Sequence, residues 1–155
     1  MRCSRNKPGL RNIRFLGLGT DAVREATLDG EGRMDPASVR AILAEDPDAP
    51  TIISLMAGDL NTGAADPFAE ICPIAKEFGA WVHVDGAFGL WALADPRRAR
   101  LVEGLCRADS LATDGHKWLN VTYDCGIAFV TRPAALRHTF AAVAGYLPPD
   151  EGFEA

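Results

Sequence analysis

The chain has 155 residues, 48% of them hydrophobic and 24% charged, the balance of a globular protein with enough length for one domain. Sixteen basic residues against 21 acidic ones leave a net charge of −5, which argues against a nucleic-acid partner. No apolar run reaches about 18 residues, the length that would read as a transmembrane helix.

Charge is unevenly spread. Arg2, Arg5, Lys7, Arg11 and Arg14 lie in the first 14 residues without an acid. No apolar stretch follows them, and Pro8-Gly9 interrupts any amphipathic helix, so a solvated segment is expected rather than a targeting peptide. Cys3, Cys72, Cys106 and Cys125 form no CxxC pair. That spacing speaks against zinc and against a disulfide framework, and for a reduced, cytoplasmic chain with ordinary buried cysteines.

In chain order, Asp35-Pro36 predicts a capped helix start leading into Val39, Ile42 and Leu43. Thr51 to Met56 reads as a buried strand, followed by a turn from Gly58 to Gly63. Asp66-Pro67 repeats the capping device before Phe68, Ile71, Ile74, Ala75 and Phe78, a helical apolar stripe that ends at Gly79. Ala80 to Val84 is a second strand and runs into Asp85. Asp95-Pro96 predicts a third helix through Leu101, Val102 and Leu105. Ser110 to Thr113 is a weaker strand, and Gly126 to Thr131 a fourth, with a helix from Pro133 to about Val143. Apolar runs without alternation predict strands covered on both faces. The fold class expected is therefore α/β, a mostly parallel sheet with helices on both faces.

Ligands on such sheets bind beyond the carboxyl ends of the strands, and two unusual segments fall there. Asp85 follows Trp-Val-His-Val, where a carboxylate is costly to bury without a partner. It reads either as a loop or cap aspartate or as a counter-ion that keeps a pyridinium nitrogen protonated. Lys117 lies in the step Asp114-Gly115-His116-Lys117-Trp118. Trp118 and Leu119 put apolar surface beside its amine, and a desolvated neutral amine attacks aldehydes to form a Schiff base. His116 is placed to donate to a phosphate. A competing metal reading joins His83, Asp85 and His116 as a two-histidine, one-carboxylate set.

Four stretches together carry a family resemblance: Gly30 to Asp35; Ala57 to Pro67; Trp81 to Gly89; and Ala108 to Gly126, closing on Tyr123-Asp124-Cys125-Gly126. In this order and spacing the sequence resembles the pyridoxal-phosphate-dependent group II amino-acid decarboxylases, the family of glutamate and aromatic L-amino-acid decarboxylases. The resemblance runs from about Leu16 to Leu147. It implies part of the large domain of a fold type I enzyme, with pyridoxal 5'-phosphate as cofactor. By position, Lys117 resembles the lysine that holds the cofactor covalently, His116 its phosphate-side neighbour, Asp85 the partner of the pyridine nitrogen and Ala87 the small residue against the ring. The implied reaction converts an amino acid to an amine and CO2, in a homodimer. An aminotransferase, another carbon–carbon lyase on the same fold, or a non-catalytic truncated remnant are the alternatives.

The chain departs from the family at several points. Leu60 stands where many relatives carry a threonine, and Thr122 where close relatives have proline. Asp114 replaces an asparagine or serine and is expected to orient His116 or cap backbone. The histidine that relatives place over the ring, shortly before Leu16-Gly17-Leu18-Gly19, has no counterpart near Asn6. Residues 1–155 are thus expected to form a partial cofactor-binding domain, without the N-terminal phosphate-binding segment or the C-terminal small domain. The chain would end near a mobile loop following Tyr146-Leu147-Pro148-Pro149. Such a piece would expose unpaired strand edges and apolar faces and be unstable alone.

Overall fold

A computed structural model of the chain describes residues 13–19 and 21–140. The positions of Asn6 and of Tyr146 to Pro149 lie outside the described residues. Helices α1 (Pro36–Ala44), α2 (Phe68–Glu77), α3 (Gly115–Trp118) and α4 (Pro133–Phe140) alternate with strands β1 (Ile52–Met56), β2 (Trp81–Asp85), β3 (Ser110–Asp114) and β4 (Gly126–Val130). The four strands form one sheet in the order β1-β2-β3-β4. The first two pairings are parallel and the last is antiparallel. This is the mostly parallel α/β sheet expected. All four expected strands are present, the weak third one included.

Strands β1 and β2 bury one face almost completely, whereas β4 has no buried residue. Ile53, Leu55, Val82 and Val84 point toward α1 and α2 and join Val39, Leu43, Phe68, Ile71 and Ala75 in one core. The alternate residues, Ser54, Met56, Trp81, His83 and Asp85, are half-exposed. Cover is therefore found on one face among the described residues, and burial alternates along β1 and β2. Across the top of the helical layer, Arg40 of α1 makes a bidentate pair with Glu77 of α2, at 2.6 and 3.0 Å.

The three Asp-Pro steps have three different fates. Asp35 caps α1 as expected, accepting the backbone N–H groups of Ala37 and Ser38. Asp66 does not cap α2, whose N-cap is Pro67. It is buried and accepts the N–H of Met34 and of Met56, each at 2.7 Å. It thereby ties the segment before α1 to the end of β1. Asp95 opens no α-helix. The chain there forms short 3₁₀ turns at Leu90–Ala94, Ala99–Val102 and Leu105–Arg107. Only Val102 and Leu105 of the expected stripe are buried, while Leu101 is exposed. Val102 and Leu105 sit on separate 3₁₀ turns, parted by Gly104 at positive φ. Asp95 instead pairs with Arg97 and Arg98, and these guanidiniums with the Arg97 N–H hold its carboxyl below the usual carboxylate range.

Of the cysteines described, Cys72 is buried, Cys125 half-buried and Cys106 exposed, and all three are free thiols. Burial pushes the Cys72 thiol up to about 11, which keeps it protonated and unreactive.

Candidate functional site

The carboxyl ends of β1, β2 and β3 meet at one edge of the sheet. Parallel register sets Asp85 beside Ala112, with Met56 on the other side. Beyond the strands the backbone closes up. Ala57 donates to the Asp85 carbonyl and Gly89 donates to the Ala57 carbonyl, each at 2.8 Å. A side chain at Gly89 would sit 2.4 Å from that same carbonyl oxygen and 2.8 Å from the Gly58 nitrogen. Only glycine lets the two strand exits approach so closely. Gly86 donates to the Ala112 carbonyl at 2.8 Å, and the buried Thr113 hydroxyl donates to the Gly86 carbonyl at 3.0 Å. The loop from Asp85 to Gly89 is thus pinned to both neighbouring strands.

Asp85 is half-exposed on the open face, and one carboxylate oxygen accepts the Ala87 N–H at 3.1 Å. Ala87 is buried beside it. Two residues past Ala112 on the same face is Asp114, the last residue of β3. Register and strand spacing put the Cα atoms of Asp85 and Asp114 about 8 Å apart. The chain then turns at once into α3. Gly115 is buried, with its N–H donating to the Cys125 carbonyl at 2.9 Å.

Lys117, one helical turn beyond Asp114, folds back so that its Nζ lies 2.7 Å from the Asp114 carboxylate and 4.4 Å from the centre of the Phe88 ring. The expected roles of Asp114 are therefore corrected. It makes no side-chain cap bond to α3, and it holds Lys117 rather than His116. The expected neighbours of the amine are corrected too. Trp118 and Leu119 are exposed, because a four-residue helix turns successive side chains to different sides; the apolar surface beneath the amine is Phe88.

His116 is half-buried, and its Nδ1 accepts the Cys125 N–H at 3.2 Å. Its ring lies 4.3 Å from that of Tyr123. With Nδ1 acting as acceptor, a neutral ring carries its proton on Nε2, free to donate elsewhere. His83 lies lower on the open face. Its Nδ1 is 2.9 Å from the Ser110 hydroxyl, which accepts the Trp81 Nε1–H at 2.8 Å. Burial pushes the His83 pKa below its ordinary value, with the nearby Asp85 charge opposing. The metal reading of His83, Asp85 and His116 finds no support: among the described residues no cluster of His, Cys, Asp and Glu is arranged to hold a metal.

The turn after β1 leaves the sheet at the same edge. Gly58 reaches it, but residues 59–64 close on themselves. Asp59 accepts the N–H groups of Asn61 and Thr62, and Thr62 accepts that of Ala64. Leu60 is 71% exposed. Phe88, which underlies the Lys117 amine, was not singled out in the sequence. Its signal was present, an aromatic residue three positions after a strand-end carboxylate, but nothing in the spacing said that it would meet Lys117.

Comparison with known proteins identifies the family of the chain. The sequence model of the pyridoxal-dependent decarboxylase conserved domain matches residues 13–154. The acidic amino acid decarboxylase GADL1 of Bos taurus is 34% identical over 148 residues, covering 92% of this chain and 28% of that protein. The cysteine sulfinic acid decarboxylase of Mus musculus is 36% identical over 144 residues, covering 90% and 29%. The crystal structure of mouse CSAD superposes with a TM-score of 0.85 at 31% identity, over 95% of this chain and 32% of that one. That of Oryza sativa TDC with PLP and tryptamine gives 0.85 at 27% identity, over 92% and 30%. The chain thus spans less than a third of the length of these relatives. With the family match running through both strand-end segments, the chain belongs to the pyridoxal-dependent decarboxylase family.

Proposed function

We propose that this chain forms the centre of a pyridoxal-phosphate-dependent enzyme that decarboxylates an amino acid to an amine and CO2, and that residues 1–155 are part of its cofactor-binding large domain. The observation that carries the reading is the placement of a carboxylate and a primary amine at the carboxyl ends of two adjacent parallel strands, Asp85 as the last residue of β2 and Lys117 three residues past the end of β3. These groups fit the cofactor's two reactive ends, a basic ring nitrogen and an aldehyde. In this reading Asp85 accepts a hydrogen bond from the protonated ring nitrogen and Lys117 supplies the anchoring amine. His116 donates its Nε2–H to the phosphate, and the buried Ala87 leaves room for a flat ring. When bound, the cofactor supplies an electron sink for the pair left behind by departing CO2. Asp85 would keep that sink electron-poor by favouring protonation of its ring nitrogen, while the hydrogen bond from Ala87 fixes the carboxylate's direction.

The relatives' names span acidic and aromatic amino acids, so the proposal stops at an α-amino acid substrate. A second reading has one specific observation behind it. The 4-hydroxyphenylacetaldehyde synthase of Rhodiola rosea is 29% identical over 142 residues, and its name describes a carbonyl product. Product analysis separates amine and CO2 from such a carbonyl, or from the keto acid of an aminotransferase. A homodimer belongs to the proposal, supported by exposed apolar side chains at Trp118, Leu119, Val121 and Tyr123. So does a reducing, cytoplasmic setting, supported by the free thiols. Among the described residues no helix is long and apolar enough to cross a membrane.

The test is borohydride trapping with pyridoxal phosphate on the natural full-length polypeptide, followed by peptide mapping. Label is expected on Lys117 and lost in Lys117→Ala; label that persists unchanged in that variant refutes the assignment.

A further inference from the structure

The Asp114 carboxylate lies 2.7 Å from the Lys117 Nζ. The geometry is imposed by the chain. Asp114 ends β3, the helix starts at the next residue, and Lys117 follows at i+3, where two helical side chains meet. Phe88 underneath, with its face 4.4 Å from the Nζ, holds the cation from the other side. The pair is partly shielded, with the two side chains 33% and 29% exposed.

An amine held this way is an ammonium ion, and an ammonium ion has no lone pair to attack a carbonyl. Resting on the proposed cofactor role of Lys117, we infer that Asp114 is a positioning residue that stores the lysine as a paired ammonium and thereby slows its covalent capture of an aldehyde. Capture requires the pair to open and the ammonium to release one proton to solvent. The neutral Nζ then attacks the aldehyde carbon, a C=N bond forms, and the carbonyl oxygen leaves as water. Asp114 acts on the first of these events. A carboxylate at this position also repels an incoming phosphate, and the two effects are separable because pyridoxal carries no phosphate.

The experiment follows the rate of adduct formation by absorbance, with borohydride trapping to confirm the site, on the natural full-length polypeptide freed of cofactor. Pyridoxal and pyridoxal phosphate are used in parallel. Opening a partly exposed pair is worth up to about 1 kcal/mol, so Asp114→Asn is expected to capture pyridoxal about two- to fivefold faster than the parent. Asp114→Glu, which keeps the charge, is expected to restore slow capture; a merely structural role for Asp114 does not produce that restoration. Equal pyridoxal rates in the parent and Asp114→Asn overturn the inference, as does an acceleration confined to pyridoxal phosphate. Should Asp114→Asn not fold, Asp114→Ser serves as the neutral variant under the same criteria. Absence of label on Lys117 in every variant instead refutes the cofactor reading, and the inference falls with it.

Discussion

Replacing Asp66 by alanine removes a buried acceptor from two backbone donors at once. The Met34 and Met56 N–H groups each lie 2.7 Å from its carboxylate, and Asp66 itself is 9% exposed. Hydrogen bonds to a charged group contribute about 1.5–3 kcal/mol each, and a buried donor left unmade keeps its desolvation cost. Removing the carboxylate also relieves the cost of burying it, so the lower end of the summed range applies, about 3 kcal/mol. Asp35→Ala is the natural control, because the same Asp-Pro step precedes a helix there. That residue caps its helix and also accepts the exposed Thr27 hydroxyl at 3.2 Å; loss of such a cap costs about 1 kcal/mol. Urea denaturation of the full-length parent and both variants, at matched cofactor saturation, reads the two costs on one scale. Asp66→Asn, which keeps one acceptor oxygen but no charge, is expected between parent and alanine variant. Equal losses for Asp66→Ala and Asp35→Ala would falsify the claim that Asp66 is a tertiary tie rather than a cap.

Two further outcomes follow from the site. Gly89→Ala puts a methyl against the Ala57 carbonyl and the Gly58 nitrogen, backbone atoms that the sheet holds in place; a loss of about 1–3 kcal/mol is expected, with weaker cofactor retention on dialysis, and a variant as stable as the parent refutes the close approach. His83 has its pKa lowered by burial, so the unfolded chain takes up its proton first as pH falls. Stability is then greatest above the unfolded value near 6.5 and declines as pH drops from there toward the folded value. His83→Gln is expected to flatten that part of a denaturation-versus-pH profile, and an unchanged slope counts against it.

Local pattern was enough to reveal the four strands and most of the helices. Apolar runs in β1 and β2, the stripe in α2 and the Asp-Pro start of α1 are properties of neighbouring residues, so the sequence displays them directly. Placement of Asp85 at the end of β2 and of Lys117 just past β3 also followed, since strand order and parallel pairing bring such ends to one edge. Partnerships across the fold were not legible. Asp35 and Asp66 look alike in sequence, yet one caps a helix and the other reaches a backbone donor 32 positions away. Asp95 looks the same again, but Leu101 meets no core and the helix gives way to 3₁₀ turns. Asp114 was visible as an unusual residue before the lysine; its contact with Lys117 and the Phe88 ring beneath them depend on how β3 breaks into α3 above the β2 exit. Sequence by itself thus determined residue type, periodicity and the sheet edge where Asp85 and Lys117 collect. Tertiary structure decided which charge meets which partner, because those distances depend on how separate segments pack rather than on spacing along the chain.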